Sequence, residues 1–145
     1  MIYYSKSVDD TIMLAQKLAE NILPGQVVAL IGDLGTGKTT FTQGFAKALG
    51  IIDRVGSPTF KLVSEYLGSE YWLYHLDAYR LEGVNDFFNI GGEKYLKPDR
   101  AVTLIEWADR LSEILTEDII YIRFFIVDNN MNKRKIEIEG IEINV

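Results

Sequence analysis

The first half of the chain shows four successive apolar patterns, which predict a strand, a helix, a strand and a second helix. A short apolar run at residues 2–5 predicts the first strand, and apolar residues then recur at helical spacing as far as Ile22. Ser7 and Asp10 form the pattern of a capping box, so this helix should begin just after Ser7. Its buried side chains are predicted to be Val8, Ile12, Ala15, Leu18, Ala19 and Ile22.

The next strand and helix are separated by a glycine-rich stretch. Residues 27–31 are apolar without a break, which is typical of a strand buried on both faces. A helical pattern then runs from Lys38 to Leu49, and it should bury Phe41, Phe45 and Leu49.

Strand patterns dominate the second half of the chain. Residues 60–67 and 71–77 are apolar runs joined by a tight connection at Gly68, which predicts an antiparallel hairpin. Residues 101–106 predict a further buried strand.

A last hairpin is predicted from residues 118–127 and 135–144, with the polar stretch between them as its tip. The apolar residues change parity on either side of Gly140, so we expect a bulge at that glycine.

Composition limits the chemistry that this chain can carry. Of its 145 residues, 48% are hydrophobic and 25% are charged, which is ordinary for a globular protein. There is no cysteine, which excludes disulfides, cysteine-based zinc sites and a catalytic thiol. The net charge of −6 argues against a broad nucleic-acid surface and leaves Lys133, Arg134 and Lys135 as the clearest basic patch.

The sequence carries no sign of membrane insertion or export. No apolar run reaches the roughly 18 residues that a membrane span needs. The first ten residues lack the basic start and the apolar stretch of a signal peptide. We therefore expect a cytoplasmic protein with no membrane partner.

The stretch "GDLGTGKTTF" at residues 32–41 contains the phosphate-binding pattern G-x-x-x-x-G-K-[ST], or P-loop. Its glycines allow the sharp turn that lets backbone N–H groups converge on phosphate oxygens. Lys38 can reach the β- and γ-phosphates, and the Thr39 hydroxyl can ligate Mg²⁺. The helix after the loop directs its positive N-terminal end at the same phosphates. The predicted nucleotide-binding residues are Gly32, Asp33, Leu34, Gly35, Thr36, Gly37, Lys38, Thr39 and Thr40.

Together with this loop, the patterns predict an α/β fold. It should be a P-loop NTPase-like sheet with a parallel core and antiparallel additions, and with helices on both faces. We expect a single P-loop ATPase domain over residues 1–145, since single cores of this size are common.

Two acidic residues that end strand patterns are candidates for the metal site. Glu106 ends "VTLIE", which resembles a Walker B strand, and Asp77 ends "YWLYHLD". Ligands bind at the carboxyl ends of strands in such sheets, although an isolated acid there is more often a turn or cap residue. His75 shares a face of its strand with Asp77 and either positions water or simply packs.

Three further positions each allow two interpretations. Thr59 in "SPTF" could sense the γ-phosphate as a switch, whereas residue chemistry alone favours a Pro-led turn. Trp107 is either a core residue or one that shields the site or meets a partner. The stretch "NKRK" at residues 132–135 is either a solvated hairpin tip or a contact for phosphate or nucleic acid.

These stretches, in matching order, resemble the TsaE (YjeE) family of small P-loop ATPases that serve tRNA threonylcarbamoyladenosine synthesis. The resemblance rests on "GDLGTGKTTF", on "SPTF", on "LYHLDAYRL" at residues 73–81 and on "LIEW" at residues 104–107. It covers residues 7–107, and the chain length suits the family. Residues 85–96 depart from the expected acidic, leucine-rich helix, and the last hairpin gives no specific match.

The resemblance implies a function that no single motif gives. It implies binding of ATP and Mg²⁺, and a role in modifying the adenosine beside the anticodon of tRNAs that read A-starting codons. The implied partner is the TsaB–TsaD pair, in which TsaD carries the transfer chemistry, so that contact with tRNA is indirect. Hydrolysis by TsaE would reset that assembly, and we expect it to be weak without the partner.

The resemblance also implies residue roles. Lys38 would bind phosphate, and Thr39 and Glu106 would ligate Mg²⁺. Asp77 would serve catalysis or the outer shell of the metal, and Thr59 matches the switch-like position.

Other nucleotide-binding classes remain as alternatives. A small-molecule kinase with a P-loop would need an acceptor pocket and an arginine-bearing lid, and Arg80, Arg100 and Arg110 are scattered. A GTPase would need an acid where "NKRK" ends in Lys135. A third alternative is a module that senses nucleotide without hydrolysing it.

Overall fold

A computed structural model describes residues 1–56 and 62–145 of the chain. Its first half alternates strands and helices as the apolar patterns predict: β1 (Ile2–Ser5), α1 (Val8–Asn21), β2 (Val27–Ile31) and α2 (Lys38–Ala48). Helix α1 begins after Ser7, whose hydroxyl accepts a hydrogen bond of 3.1 Å from the Asp10 N–H. The Asp10 carboxylate in turn accepts from the Lys6 N–H at 2.9 Å. The predicted cap is therefore confirmed, except that Asp10 binds the residue before the N-cap and not the N-cap itself.

The second half supplies the remaining strands and several short helices. The elements are β3 (Val63–Leu67), β4 (Trp72–Asp77), a 3-10 helix (Ala78–Arg80), α3 (Val84–Asn89), α4 (Glu93–Leu96), β5 (Ala101–Glu106), a second 3-10 helix (Ala108–Leu111), β6 (Ile120–Val127) and β7 (Asn130–Glu139). The predicted start of β3 at Phe60 lies outside the described residues.

One seven-stranded sheet has the order β1-β7-β6-β2-β5-β4-β3. Strands β6, β2, β5 and β4 run parallel, and β3, β7 and β1 add antiparallel pairings at the two sides. The predicted parallel core with antiparallel additions is therefore confirmed. Because the core strands are parallel, their carboxyl ends share one edge of the sheet, where the P-loop follows β2.

Helices cover both faces of the sheet, and each face has its own apolar core. On one face α1 and α2 pack Leu18 and Phe45 against β2 and β5, and Phe41 meets Phe124 edge to face at 5.6 Å. On the other face, Phe87 and Leu111 from the shorter helices pack against the opposite sides of the same strands. The α1–α2 face is also the face that carries the P-loop.

The buried face of α1 differs from the prediction at four positions. Ile12 is only half-buried, and Thr11, which was not predicted, is buried. Val8 is 64% exposed, because it lies in the first turn at the rim of a pocket rather than over the sheet. Leu14, which the predicted set omits, is only 1% exposed.

The last hairpin has a shorter tip than the predicted seven residues. Asp128 and Asn129 form the turn alone, both with a φ of 52°. Strand β7 therefore begins at Asn130 and carries the "NKRK" stretch. Within that stretch Arg134 and Lys135 pair with both β6 and β1, so a solvated tip is wrong for them, whereas Asn132 and Lys133 are exposed near the turn.

The predicted bulge at Gly140 is also wrong. Strand β7 ends at Glu139, and Gly140 takes a φ of 93° just beyond it. The irregularity in the β6–β7 pairing lies instead between Ile126 and Val127, next to the turn.

None of the helices that the structure describes combines the length and the apolar character of a membrane span.

Candidate functional site

The P-loop connects the carboxyl end of β2 to the first turn of α2. Gly35 and Gly37 have φ values of 78° and 104°, a region that only glycine adopts at low cost. Gly32 is required for a different reason, since a Cβ there would lie 2.8 Å from the Thr36 hydroxyl oxygen. The three glycines thus give the chain its turn and its close packing.

Contacts within the loop hold it compact. The Thr36 hydroxyl donates to the Asp33 carbonyl at 2.7 Å, and the Thr36 N–H donates to the same oxygen at 3.3 Å. Gly37 occupies the N-cap of α2 and supplies no capping side chain. The first N–H groups of this eleven-residue helix can therefore serve an anionic ligand.

Lys38 is folded back over the loop and is 5% exposed. Its ammonium donates to the Gly32 carbonyl and, at 3.2 Å, to the Asp33 carbonyl. It also lies 3.6 Å from the centroid of the Trp107 ring, a cation–π contact. Burial lowers the pKa of Lys38, and nearby acids oppose that shift, Glu106 most strongly. A buried ammonium held by carbonyls and an aromatic ring is well suited to bind a phosphate group.

The two strand-end acids lie side by side. Strands β4 and β5 run parallel with Asp77 in register with Glu106, so both side chains emerge at the same edge. Glu106 is 3% exposed, and its Oε2 lies 2.6 Å from Nε2 of His75, which is fully buried. An ionised carboxylate can only accept, so Nε2 carries the proton and donates. His75 thus fixes the orientation of Glu106, a role that the two interpretations of this histidine did not include.

Asp77 is only partly buried and has a different environment. Its Oδ1 accepts a hydrogen bond of 2.9 Å from the Tyr79 N–H, which caps the 3-10 helix that follows β4. Burial raises the pKa of the Asp77 carboxyl, and the Tyr79 hydrogen bond opposes the shift. The residue is therefore a turn cap and, at the same time, an acid whose ionisation is disfavoured.

An aromatic stack closes one side of the site. The Tyr79 and Trp107 rings lie 4.9 Å apart between centroids, and the Arg110 guanidinium lies 5.2 Å from the Tyr79 ring. Trp107 has a φ of 56°, which is unusual for a residue with a bulky side chain. This backbone turn directs the indole over Lys38, so Trp107 is part of the site rather than of the core alone.

An open pocket of about 290 Å³ lies over the loop and the start of α2. It brings together six of the predicted nucleotide-binding residues: Leu34, Gly35, Gly37, Lys38, Thr39 and Thr40. Glu106 and Trp107 also line it. Gly32, Asp33, Thr36 and Asp77 are not among its lining residues, and Thr59 lies outside the described part of the chain.

The sequence analysis missed three lining residues, Ser7, Val8 and Thr11 from the start of α1. Asn132 and Arg134 of β7 also line the pocket, and they belong to the "NKRK" stretch for which a phosphate contact was the second alternative. Strand alternation offered one signal, since residue 134 shares its parity with the apolar Ile136 and Ile138. No pattern indicated that the start of α1 would border the loop.

The chemistry of the donor set fits Mg²⁺. Within the described ranges no group of three His, Asp or Glu side chains could hold a metal. Mg²⁺ does not need one, since it commonly takes one or two carboxylates together with water and substrate phosphates. Glu106 uses Oε2 for His75, which leaves Oε1 for a ligand, and the Thr39 hydroxyl lies in the same pocket.

Comparison with known proteins gives a consistent result. The model of the family TsaE, described as a threonylcarbamoyl adenosine biosynthesis protein, matches residues 5–136. The tRNA threonylcarbamoyladenosine biosynthesis protein TsaE of Bacillus subtilis (strain 168) is 41% identical over 114 residues, which is 79% of this chain and 70% of that protein. Its counterpart in Rickettsia conorii is 36% identical over 125 residues, which is 86% of this chain and 70% of that protein.

A solved structure matches as well. The crystal structure of Bacillus subtilis YdiB superposes with a TM-score of 0.73 and is 34% identical in sequence. The match covers 94% of this chain and 82% of the other.

Proposed function

Because this chain belongs to the TsaE family of tRNA threonylcarbamoyladenosine biosynthesis proteins, we propose that it is an Mg²⁺-dependent ATPase that supports this modification. One observation carries the proposal. A glycine loop with a buried lysine lies at the carboxyl edge of a parallel sheet, beside the in-register acids Asp77 and Glu106. That arrangement would allow phosphate binding beside an acidic metal site, with Lys38 and Glu106 lining one pocket and Asp77 next to Glu106.

The loop would bind the phosphates of ATP. Backbone N–H groups at residues 32–40 and the N-terminal end of α2 would surround the phosphate oxygens. On nucleotide binding, the Lys38 ammonium would leave the carbonyls of Gly32 and Asp33 and bind the β- and γ-phosphates. A charged phosphate is a stronger partner for a buried ammonium than a neutral carbonyl. The Trp107 ring would keep that ammonium in position and away from water.

The acids would serve the metal and the hydrolytic step. Glu106 and the Thr39 hydroxyl would hold Mg²⁺, which neutralises charge on the phosphates when bound. His75 would keep the Glu106 carboxylate in a fixed orientation. Asp77, whose raised pKa makes its carboxylate a stronger base, is the candidate to orient or activate water, and Thr59 is the candidate switch residue.

Hydrolysis would act on a protein partner. We propose the TsaB–TsaD pair as that partner, in the cytoplasm where tRNA is modified, with tRNA engaged only through the assembly. The pocket is lined largely by the phosphate loop and its neighbours, which leaves little surface for a second substrate. Turnover by the chain alone is therefore expected to be slow.

The positions of Arg100 and Arg110 do not favour the lid that a small-molecule kinase would need. Arg100 precedes β5 and so lies at the edge of the sheet opposite to the P-loop. Arg110 stacks on Tyr79 and donates to the Leu81 carbonyl at 3.4 Å, which occupies its guanidinium. Neither is free to form a lid over a transferred phosphate.

Calorimetry of ATP binding with and without Mg²⁺ tests this proposal. Lys38→Ala should weaken ATP binding by roughly a hundredfold, because the buried ammonium is the main point charge on the phosphates. Glu106→Ala should bind ATP with an affinity that no longer responds to Mg²⁺. Lys47→Ala removes an exposed lysine from the last turn of the same helix and serves as the matched control. Unchanged ATP affinity in Lys38→Ala would contradict the assignment of the loop.

A further inference from the structure

Arg134 of β7 contacts the P-loop, although the two are far apart in sequence. It shares a strand face with Ile136 and Ile138, which are buried in the core below α1 and α2. This places its guanidinium on the P-loop face of the sheet, almost a hundred residues away in sequence from the loop that it contacts.

The guanidinium binds carbonyl groups of the loop. Its Nε donates to the Thr36 carbonyl at 3.1 Å, and its Nη2 donates to the Gly35 carbonyl at 3.0 Å. Its Nη1 donates to the carbonyls of Asn130 and Lys133 within β7. In the described part of the chain no carboxylate forms an ion pair with Arg134. The forked guanidinium group thus binds two successive peptide groups of the loop and two carbonyls of its own strand.

We propose that Arg134 is a positioning residue that sets the orientation of these two peptide groups for phosphate binding. A trans peptide is planar, so its C=O and N–H point in opposite directions. Holding the Gly35 and Thr36 carbonyls toward β7 turns the N–H groups of Thr36 and Gly37 away from β7. The Thr36 N–H donates to the Asp33 carbonyl at 3.3 Å, so the Gly37 N–H is the group presented to phosphate. The inference deepens the proposed function, because it concerns the order of the same loop before nucleotide binds.

The glycines explain why the loop needs this restraint. Gly35 and Gly37 both have positive φ. A Cβ placed on either residue would meet no other described atom within 4 Å, so side-chain packing does not fix their conformation. Glycine also loses more conformational freedom on ordering than any other residue. If the loop loses its conformational entropy during folding, that loss no longer opposes binding, and affinity for the ligand is higher.

The planar fork of arginine is what allows one side chain to hold both carbonyls. Two donors at fixed spacing reach two neighbouring carbonyls, whereas a lysine ammonium is a point charge on a flexible stem. Arg134→Lys therefore keeps the charge and most of the side chain but loses the two-carbonyl contact. This variant separates positioning from simple attraction of phosphate.

The experiment compares Arg134→Lys and Arg134→Ala with Lys133→Ala, which removes a neighbouring exposed cation and keeps the backbone carbonyl through which residue 133 contacts Arg134. NMR amide exchange at residues 35–38 is measured without nucleotide, and Kd is measured for ATP, ADP and adenosine. We expect faster exchange in both Arg134 variants, and a loss of ATP and ADP affinity by one shared factor of roughly ten or more. Adenosine affinity and the Lys133→Ala variant should be unchanged.

Other outcomes overturn the inference. Wild-type behaviour of Arg134→Lys would mean that charge matters and the fork does not. A loss confined to ATP, or one shared by adenosine, would mean direct contact with the γ-phosphate or with the nucleoside. Unchanged loop exchange would also reject it. If exchange responds as expected but the wild-type chain binds no nucleotide, the proposed function fails and the restraint on the loop stands.

Discussion

At the scale of single residues, the site combines side chains that stability alone would not select. Lys38 is buried and, among the described residues, forms no ion pair with a carboxylate, while Asp77 is held where burial disfavours its charge. His75 is buried with Nε2 on Glu106, and among the described residues its Nδ1 has no hydrogen-bond partner. Such costs are expected where a protein prepares charges for a ligand.

Asp77 gives a prediction for stability and its pH dependence. Burial raises the pKa of its carboxyl in the folded state above the ordinary value of 3.8, so folding favours the protonated form. The folded protein is therefore penalised once pH rises through the folded-state pKa, and the penalty is absent below 3.8, where both states are protonated. Asp77→Asn cannot ionise, and its amide oxygen can still accept from the Tyr79 N–H.

We therefore expect Asp77→Asn to be more stable than the wild type at neutral pH, with the difference vanishing in acid. Urea unfolding from pH 3 to pH 7, without nucleotide or Mg²⁺, measures this directly. A variant that is less stable than the wild type at neutral pH would show that the carboxylate is stabilising, and would refute the predicted sign.

At the scale of elements, the strand–loop–helix unit of β2 and α2 was predictable from the sequence alone. An unbroken apolar run, a glycine pattern and a helical period each point to one structure. The last hairpin was less predictable. Residues 130–135 lack a strand-like apolar pattern, and Arg134 and Lys135 lie in a strand because β6 and β1 supply partners on both sides. That context comes from the whole fold and also places Arg134 at the loop.

The P-loop gives a prediction at this scale, through a pair of matched glycines. Gly35 and Gly91 have φ values of 78° and 74°, and neither has a neighbour within 4 Å of a built Cβ. Alanine at either position should destabilise the fold by about 1 kcal/mol, because a Cβ disfavours that backbone region. Only Gly35→Ala should also weaken ATP binding.

Thermal unfolding and calorimetry on the two variants test this point. Equal losses of ATP affinity in Gly35→Ala and Gly91→Ala would mean that general destabilisation, and not loop geometry, controls binding. The Gly91 variant is thus the control for backbone strain away from the site.

At the scale of the whole molecule, strand order determines where the chemistry lies. The central strand β2 is flanked by β5 and β6, so the loop after β2 meets Glu106 from β5 and Arg134 from the β6–β7 hairpin. The sequence predicted the acids because they end apolar runs. It did not predict the contributions of α1 and β7, because those depend on how distant segments pack. Thr59 stays a prediction, since residues 57–61 lie outside the described ranges.

The central claim is that the nucleotide state of this small protein is read by a partner. Hydrolysis can drive a partner only if ATP- and ADP-bound forms bind it with different affinity, because a ligand shifts an equilibrium only by its differential affinity. The direct measurement is the Kd for the TsaB–TsaD pair with ATP, with ADP and without nucleotide. We predict affinities that differ by roughly tenfold or more between the ATP and ADP states. Identical affinity in all three states, together with fast phosphoryl transfer from ATP to a small metabolite by this chain alone, would contradict the account.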